Sequence, residues 1–115
     1  MLAITVIIVP ENRKRVMNMA SDREYLEFVL EQLSETGDVA FRAMMGEYVI
    51  YYKGKVIGGI YDNRFLVKVT PSSRALMPEA PLEIPYPGGK QMLLIEDIEN
   101  KEFLSELFEK TFNEL

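Results

Sequence analysis

Hydrophobic residues recur with a helical period between residues 21 and 37. The apolar face of this segment comprises Tyr25, Leu26, Phe28, Val29, Leu30 and Leu33. At its start, the letters SDRE follow the capping-box pattern, in which the Ser21 side chain accepts a hydrogen bond from the Glu24 amide. At its end, Thr36 and Gly37 provide a left-handed stop. The pattern therefore predicts an amphipathic first helix.

From residue 39 onward the hydrophobic period changes to two, which is typical of half-buried β-strands. The pattern predicts a meander of four antiparallel strands at 39–45, 48–52, 55–61 and 64–70. The predicted turns between them are Gly46–Glu47, Lys53–Gly54 and Asp62–Asn63. In the first strand, Phe41 and Met45 should share one face, opposite Arg42 and Met44.

The remaining third of the chain predicts two more helices and one more strand. Thr70 caps a short helix that begins at Pro71 and ends at Pro78. Residues 78–90 contain four prolines and two glycines, which predicts an irregular surface loop. An apolar strand follows at 91–96. Asn100 then caps a final helix with a broad apolar face: Phe103, Leu104, Leu107, Phe108, Thr111, Phe112 and Leu115.

This order of elements predicts an α+β protein. We expect a two-layer fold in which an antiparallel sheet of about five strands has the helices packed on one face. The predicted domain spans residues 19–115. The segment 1–18 differs in character, because its apolar run is too short to span a bilayer and its basic residues follow that run, unlike those of a signal peptide. It is interpreted either as an extra strand or as a translated or cloned extension before Met17 or Met19.

Composition narrows the chemistry that the chain can perform. The sequence has neither cysteine nor histidine, which excludes disulfides, thiolate and imidazole metal ligands, and cysteine or serine–histidine nucleophiles. We therefore expect no catalytic residues, no metal and no cofactor. The formal charge is −5, and such an acidic protein is not expected to bind nucleic acid directly.

Two segments carry an ordered series of motifs: RAMMGEYVIYYKGKVIGGIYDNRFLVKVT at 42–70 and PYPGGKQMLLIED at 85–97. Together they resemble the N-terminal domain family of TfoX (Sxy), regulators of natural competence in bacteria. The resemblance covers about residues 20–112. The positions that match the family pattern are Arg42, Met44, Gly46, Tyr48, Tyr51, Gly54, Asp62 and Lys68.

The sequence also departs from the family pattern. Met45 stands where the family has phenylalanine, and Glu47 and Val49 stand where it has glycine. Because glycine adopts positive φ angles most readily, this turn should be stiffer than the family's. Full TfoX regulators carry a second, helical domain, so we expect a stand-alone N-terminal domain. The resemblance implies a cytoplasmic, non-enzymatic regulatory or adaptor domain that contacts a protein partner, in a transcription-related complex.

Arg42 and Lys68 are the first candidate binding residues. If their strands are neighbours, both side chains could hold an anion such as a phosphate or a partner carboxylate, and a small-ligand or weakly catalytic domain is then the alternative function. The competing interpretation makes them solvated charges or structural partners of Glu47 or Asp62.

The aromatic and sulfur-containing residues nearby have two interpretations as well. Met44, Met45, Tyr48, Tyr51 and Tyr52 could form a partner-binding surface around the turn at Gly46, or they could fill the core beneath the helices, which we favour. Tyr86, in the proline-rich loop, is the remaining candidate contact. A homodimer is an alternative to a foreign protein partner, and no membrane contact is expected.

Two further motifs carry no site. The letters PGGK at 87–90 lack the upstream glycine and the following serine or threonine of a phosphate loop. The acidic residues Glu96, Asp97 and Glu99 precede the final helix, where negative charge is favourable for the helix dipole alone.

Overall fold

The computed structural model describes residues 21–115, and the predictions made for residues 1–18 lie outside the described residues. Three helices and six strands are present, which confirms the α+β class, with one strand more than expected. The helices are α1 (Arg23–Gln32), α2 (Pro71–Leu76) and α3 (Lys101–Phe112). The strands are β1 (Val39–Met44), β2 (Glu47–Tyr52), β3 (Lys55–Tyr61), β4 (Arg64–Val67), β5 (Leu82–Glu83) and β6 (Met92–Leu94).

All six strands pair antiparallel in one open sheet, in the order β1-β2-β3-β4-β6-β5. The predicted four-strand meander is therefore confirmed. The strand β5 was not predicted, and the prediction that the proline-rich segment is irregular throughout is wrong. Leu82 and Glu83 lie between Pro81 and Pro85, and both pair with β6, opposite Leu93 and Met92.

One face of the sheet carries the main core. Phe65 of β4 is fully buried and packs edge-on against Phe108 of α3, with 6.2 Å between the ring centroids. Tyr52 of β2 packs against the same Phe108 ring at 5.7 Å. The core also receives buried residues from every helix: Leu26, Val29 and Leu33 around α1, Met77 after α2, and Leu104 and Leu107 of α3. The predicted packing of the helices on one face is thus confirmed.

The opposite face, which we call the open face, carries a smaller apolar cluster. Tyr61, Leu66 and Met92 are buried there, and Leu94 packs against them. Residues directly opposite each other in a sheet share a face. Arg42 lies opposite Val49, Val49 opposite Gly59, and Gly59 opposite Leu66, so the Arg42 and Val49 side chains lie on the open face.

The three helices begin in different ways. The predicted capping box at Ser21 is wrong, because Asp22 is the residue before α1 and makes no side-chain cap bond. A capping box occurs instead at α2, where Thr70 and Ser73 exchange side-chain to backbone bonds. The predicted cap of α3 is confirmed, since Asn100 Oδ1 accepts from the Phe103 amide at 3.0 Å.

Three two-residue turns join the first four strands. The turns at Lys53–Gly54 and Asp62–Asn63 lie where they were predicted, and all four residues have positive φ. The first turn is Met45–Gly46, with φ values of 54° and 86°, so its predicted position was one residue too late. Met45 is therefore a turn residue and Glu47 begins β2. Among the described residues, no helix combines the length and the hydrophobicity needed to cross a lipid bilayer.

Candidate functional site

The turns at Met45–Gly46 and Asp62–Asn63 lie at the same end of the sheet, and a polar network joins them. The Glu47 carboxylate accepts from the Asp62 amide at 3.1 Å and from the Ser21 hydroxyl at 2.7 Å. The Ser21 hydroxyl accepts in turn from the Asn63 amide at 2.9 Å. The Ser21 amide donates to the Gly46 carbonyl at 3.0 Å. Ser21, two residues before α1, is therefore held together with both turns, and we call this network the clip.

The clip supports two exposed methionines. Met44 is 51% exposed and Met45 is 96% exposed, so the expectation that they fill the core is wrong. The reason is their position at the end of an edge hairpin, where none of the three described helices passes over the side chain. Met45 is the most exposed large hydrophobic residue of the described chain, and it lies beside the hydrogen bonds of the clip.

The three tyrosines of β2 divide between the two faces. Tyr48 packs edge-on against Phe41 at 6.0 Å next to the core, and Tyr52 is buried under α3. Tyr51 alternates to the open face, where it is half-buried opposite Ala40 of β1. The core interpretation is therefore confirmed for Tyr48 and Tyr52, and Tyr51 remains a candidate contact.

Arg42 and Lys68 are not brought together by the fold. Arg42 lies on β1 and Lys68 follows β4, so that β2 and β3 separate their backbones by three strand spacings, about 14 Å. The condition for a shared anion site, that their strands be neighbours, is not met. Among the described residues Glu47 forms no ion pair with either basic residue, and its hydrogen bonds come from Ser21 and Asp62.

Arg42 does share the open face with other predicted contacts. It is exposed on β1, where its register partner is Val49, and Met44 lies two residues further on the same side. We call Arg42, Met44, Met45 and Tyr51 the tip surface. Of the other predicted site residues, Gly46 lies in the turn next to Met45, Tyr48 packs against the core, and Lys68 lies outside the tip surface.

Tyr86 reaches the open face from the proline-rich loop. Its ring packs edge-on against Tyr61 at 5.9 Å, and its side chain is 56% exposed. Burial raises the pKa of Tyr61, and the neighbouring Tyr86, Glu47 and Tyr51 raise it further in that order. The Tyr61 phenol therefore stays neutral, and Tyr86 borders the tip surface across β3.

Two arginines that sequence reasoning missed hold the loop in place. Arg64 binds the Glu83 carboxylate at 2.7 Å and also donates to the carbonyls of Tyr61 and Ile84. Arg74 donates to three carbonyls of the chain that follows α2, those of Met77, Pro78 and Ala80. No pattern in the sequence marks these residues, because their acceptors are mainly backbone groups.

A second polar cluster lies at the other end of the sheet and fastens α3 to the turn at Lys53–Gly54. Glu109 Oε1 accepts from the Tyr52 hydroxyl at 2.8 Å and from Lys53 Nζ at 3.0 Å. The hydrogen bonds from Lys53 and Tyr52 lower the pKa of Glu109. Burial and the bond to Glu109 raise the pKa of Tyr52, and the bond to Glu109 raises the pKa of Lys53.

These shifts predict a pH dependence for the stabilisation that Glu109 provides. Because the pKa of Glu109 is lower in the folded state, its contribution is fully present above the pKa of an ordinary glutamate and is lost as the pH falls through the lowered value. We expect Glu109→Gln to destabilise the fold at pH 7 and to cost progressively less on acidification below about pH 4. At the alkaline side, the raised pKa values of Tyr52 and Lys53 predict that stability falls as the pH rises through them.

Urea unfolding of the wild-type chain and of Glu109→Gln between pH 2.5 and pH 11.5 would measure the acidic and the alkaline effect, with Glu102→Gln as a control for removal of a charge from the same helix. A constant difference across the acidic range would contradict the assignment.

The described residues provide no assembly typical of a metal site. No group of three or more acidic residues within 21–115 is placed to hold a metal ion. Glu96, Asp97 and Glu99 are exposed, and Asp97 accepts from the Asn100 side chain that caps α3. Asp97 therefore supports the residue that caps α3, and the role of Glu96 and Glu99 stays a prediction.

Comparison with known proteins identifies the family. The profile of the TfoX N-terminal domain matches residues 31–111, more than half of the chain. The chain is also similar to the uncharacterized 12.7 kDa protein in the trpE 5′ region of Spirochaeta aurantia, with 36% identity over 80 residues, 70% of each protein. Both matches include β1 to β4. The clip residue Glu47 and the tip surface lie inside the profile match. The chain therefore belongs to the TfoX N-terminal domain family.

Proposed function

We propose that this competence-regulator-like domain is a non-enzymatic adaptor that binds another protein through the tip surface. Membership of the TfoX N-terminal domain family supports a competence-regulator-like role. The transcription-related complex is part of the proposal. The observation that carries the proposal is the conformation and exposure of Met45.

Met45 is unfavourable for folding in two respects. Its φ of 54° lies in the left-handed region, which costs a residue with a long side chain about 1 kcal/mol and which asparagine or glycine occupies more readily. Its side chain is 96% exposed, so the hydrophobic group gains nothing from burial. A residue that stabilises neither the turn nor the core is well explained by contact with a partner.

The surroundings of Met45 suit a binding surface. The clip orders the turn before a partner arrives, which lowers the entropic cost of association. Methionine adapts its shape to a partner, while arginine and tyrosine are the residue types that most often dominate binding energies. Arg42 and Tyr51 supply these types beside Met44 and Met45.

The test is the substitution Met45→Asn. Asparagine tolerates the left-handed conformation, so we expect the free energy of unfolding to stay equal or to rise by up to about 1 kcal/mol. Binding of the protein partner should fall sharply, because the exposed apolar anchor is gone. The measurement is affinity capture from a nuclease-treated lysate of the native cell, followed by titration of the recovered partner with each purified variant.

Val69→Thr provides a matched control. Val69 is another exposed hydrophobic residue, 45% exposed, and it lies between β4 and α2, outside the tip surface. It should leave partner binding unchanged. If Met45→Asn also left binding unchanged, the tip surface would not be the contact. Nuclease treatment removes partners that are bridged by nucleic acid.

A further inference from the structure

The two edges of the sheet differ in their protection against pairing with another strand. At one edge, β5 has two residues and stands between two prolines. At the other edge, β1 has six residues, VAFRAM, with no proline and with Arg42 as its single charge. Short strands, prolines and charges are the usual means by which proteins block edge pairing. Within residues 21–115, β1 is therefore the edge that can accept another strand.

The geometry of the hairpin shows which backbone groups of β1 face outward. Because Met45–Gly46 is a two-residue turn, Met44 and Glu47 flank it as a bonded pair, and bonding to β2 then alternates along β1. Arg42 thus directs its backbone N–H and C=O toward β2. Phe41 and Ala43 direct theirs away from β2, where no described residue bonds to them.

An apolar groove runs beside this edge. It has a volume of about 480 Å³ and lies between β1 and the second half of α1. Its apolar lining is Leu30, Leu33, Val39, Ala40 and Phe41. An extended segment that paired with β1 would direct every second side chain toward this groove, as in other complexes formed by strand addition.

The charge around the edge specifies the partner further. Residues 21–44 contain six acidic and two basic residues, a net charge of −4. Three of the acidic residues, Glu24, Glu27 and Glu31, are exposed on α1, and Glu35 is exposed just after it. Glu31 is paired with Lys101 of α3 at 3.4 Å, so Glu24, Glu27 and Glu35 remain for a partner. One of the two basic residues, Arg23, is already paired with Glu27 and lies over the Phe41 ring at 5.3 Å. The negative electrostatic potential beside β1 therefore favours the binding of a positively charged segment.

We propose that β1 accepts an additional strand from a partner, and that this strand alternates apolar residues with lysine or arginine. The Phe41 and Ala43 backbone groups form the new hydrogen bonds. Since alternate side chains of a strand point to opposite faces, the stems of the basic residues lie in the groove with their charges at the α1 carboxylates, and the apolar residues lie on the open face beside Ala40 and Met44. This inference rests on the proposed function, since β1 belongs to the hairpin that ends at Met45.

The test uses two synthetic peptides with blocked ends, VKVKVK and its acidic counterpart VEVEVE, added to the full chain. Amide hydrogen exchange is followed by NMR. With the basic peptide at 90% saturation, exchange of the Phe41 and Ala43 amides should slow about tenfold, because only the free tenth of the molecules exposes them. The Arg42 amide, already bonded to β2, should change little. The acidic peptide should leave all three amides unchanged.

Charge recognition is tested with a pair of double variants. Glu27→Gln combined with Glu35→Gln should weaken the binding of VKVKVK about 2- to 30-fold, the range expected for two exposed ion pairs. Glu79→Gln combined with Glu96→Gln removes the same charge near the opposite edge of the sheet and should leave the affinity unchanged.

Four outcomes would overturn the proposal. The first two are the absence of binding by VKVKVK at millimolar concentration and equal binding of both peptides. The third is protection of the Arg42 amide to the same extent as those of Phe41 and Ala43. The fourth is protection of the Phe41 and Ala43 amides in the chain alone, as when a second copy covers the edge. The peptides do not depend on the native partner. If VKVKVK does not protect the amides but capture of the partner still depends on Met45, strand addition alone is rejected. If VKVKVK protects the amides but capture does not depend on Met45, the tip surface alone is rejected.

Discussion

Replacing Gly58 by alanine should destabilise the domain by about 3 kcal/mol or more. Gly58 lies in the central strand β3, opposite Val67, and an added Cβ would overlap the Leu66 carbonyl oxygen and lie 3.0 Å from the Val67 Cα. Both obstacles are backbone atoms of the paired strand β4, so no rotation of a side chain can relieve the contact. The two strands must separate or shift, which also disturbs the core on Phe65.

Thermal and urea unfolding would measure this effect. In a domain of this size, 3 kcal/mol corresponds to a fall in Tm of at least about 12 °C. Gly88→Ala is the matched control, because the same methyl group meets nothing within 4 Å there. Its φ of +87° still costs about 1 kcal/mol. An equal loss of stability in both variants would show that backbone freedom, not the close approach of β3 and β4, is what Gly58 provides.

Phe108→Ala should have the other large effect, a loss of about 3–5 kcal/mol in the free energy of unfolding. The Phe108 ring is fully buried and joins α3 to two strands, since it packs edge-on against Tyr52 and against Phe65. Its removal leaves a cavity between α3 and the sheet, and it also loosens the Tyr52 phenol that binds Glu109.

Phe28→Ala separates the loss of burial from the loss of an aromatic ring. Phe28 lies on α1, is 37% exposed and packs only against the Tyr25 ring among the aromatic residues of 21–115, so its truncation should cost less than about 1 kcal/mol. Unfolding in urea with both variants would compare them. If the two losses were similar, α1 would have to contribute to the core through Phe28, contrary to its position in the structure.

The contrast between these phenylalanines shows how far hydrophobic patterns determine the fold. Both residues belong to a helical apolar stripe in the sequence. The stripe predicts the helix and its general orientation, but its width does not show where the neighbouring sheet ends. In α1 the fold buries Leu26 and Val29 and leaves Phe28 37% exposed. In α3 it buries Phe108 together with Leu104, Leu107 and Thr111.

Local turn and cap chemistry was predictable where it involved neighbours in the sequence. Lys53–Gly54, Asp62–Asn63, Thr70 and Asn100 act as their residue types suggest. Ser21 does not, because a distant acceptor, Glu47, competes for its hydroxyl and Asn63 donates to it. Such competition depends on which loops meet in space.

The same limit applies to the candidate site. Sequence resemblance marked Arg42, Met44 and Tyr51, which share the open face, but it also grouped Lys68 with them. The order of the strands in the sheet decides whether Lys68 lies near Arg42. That order follows from the whole meander and not from any one motif. The arginines that fasten the proline-rich loop were invisible for a related reason, since most of their acceptors are carbonyls that every residue has.

The placement of the two clusters at opposite ends of the sheet has a practical consequence for attachment of the domain to other groups. Ser21 is bonded to Gly46, beside Met45, whereas the carbonyl of Leu115 accepts from Lys55 Nζ at 3.4 Å, next to the far turn. A surface tether, fluorophore or fusion protein joined after Leu115 therefore leaves the domain from the end opposite the tip surface.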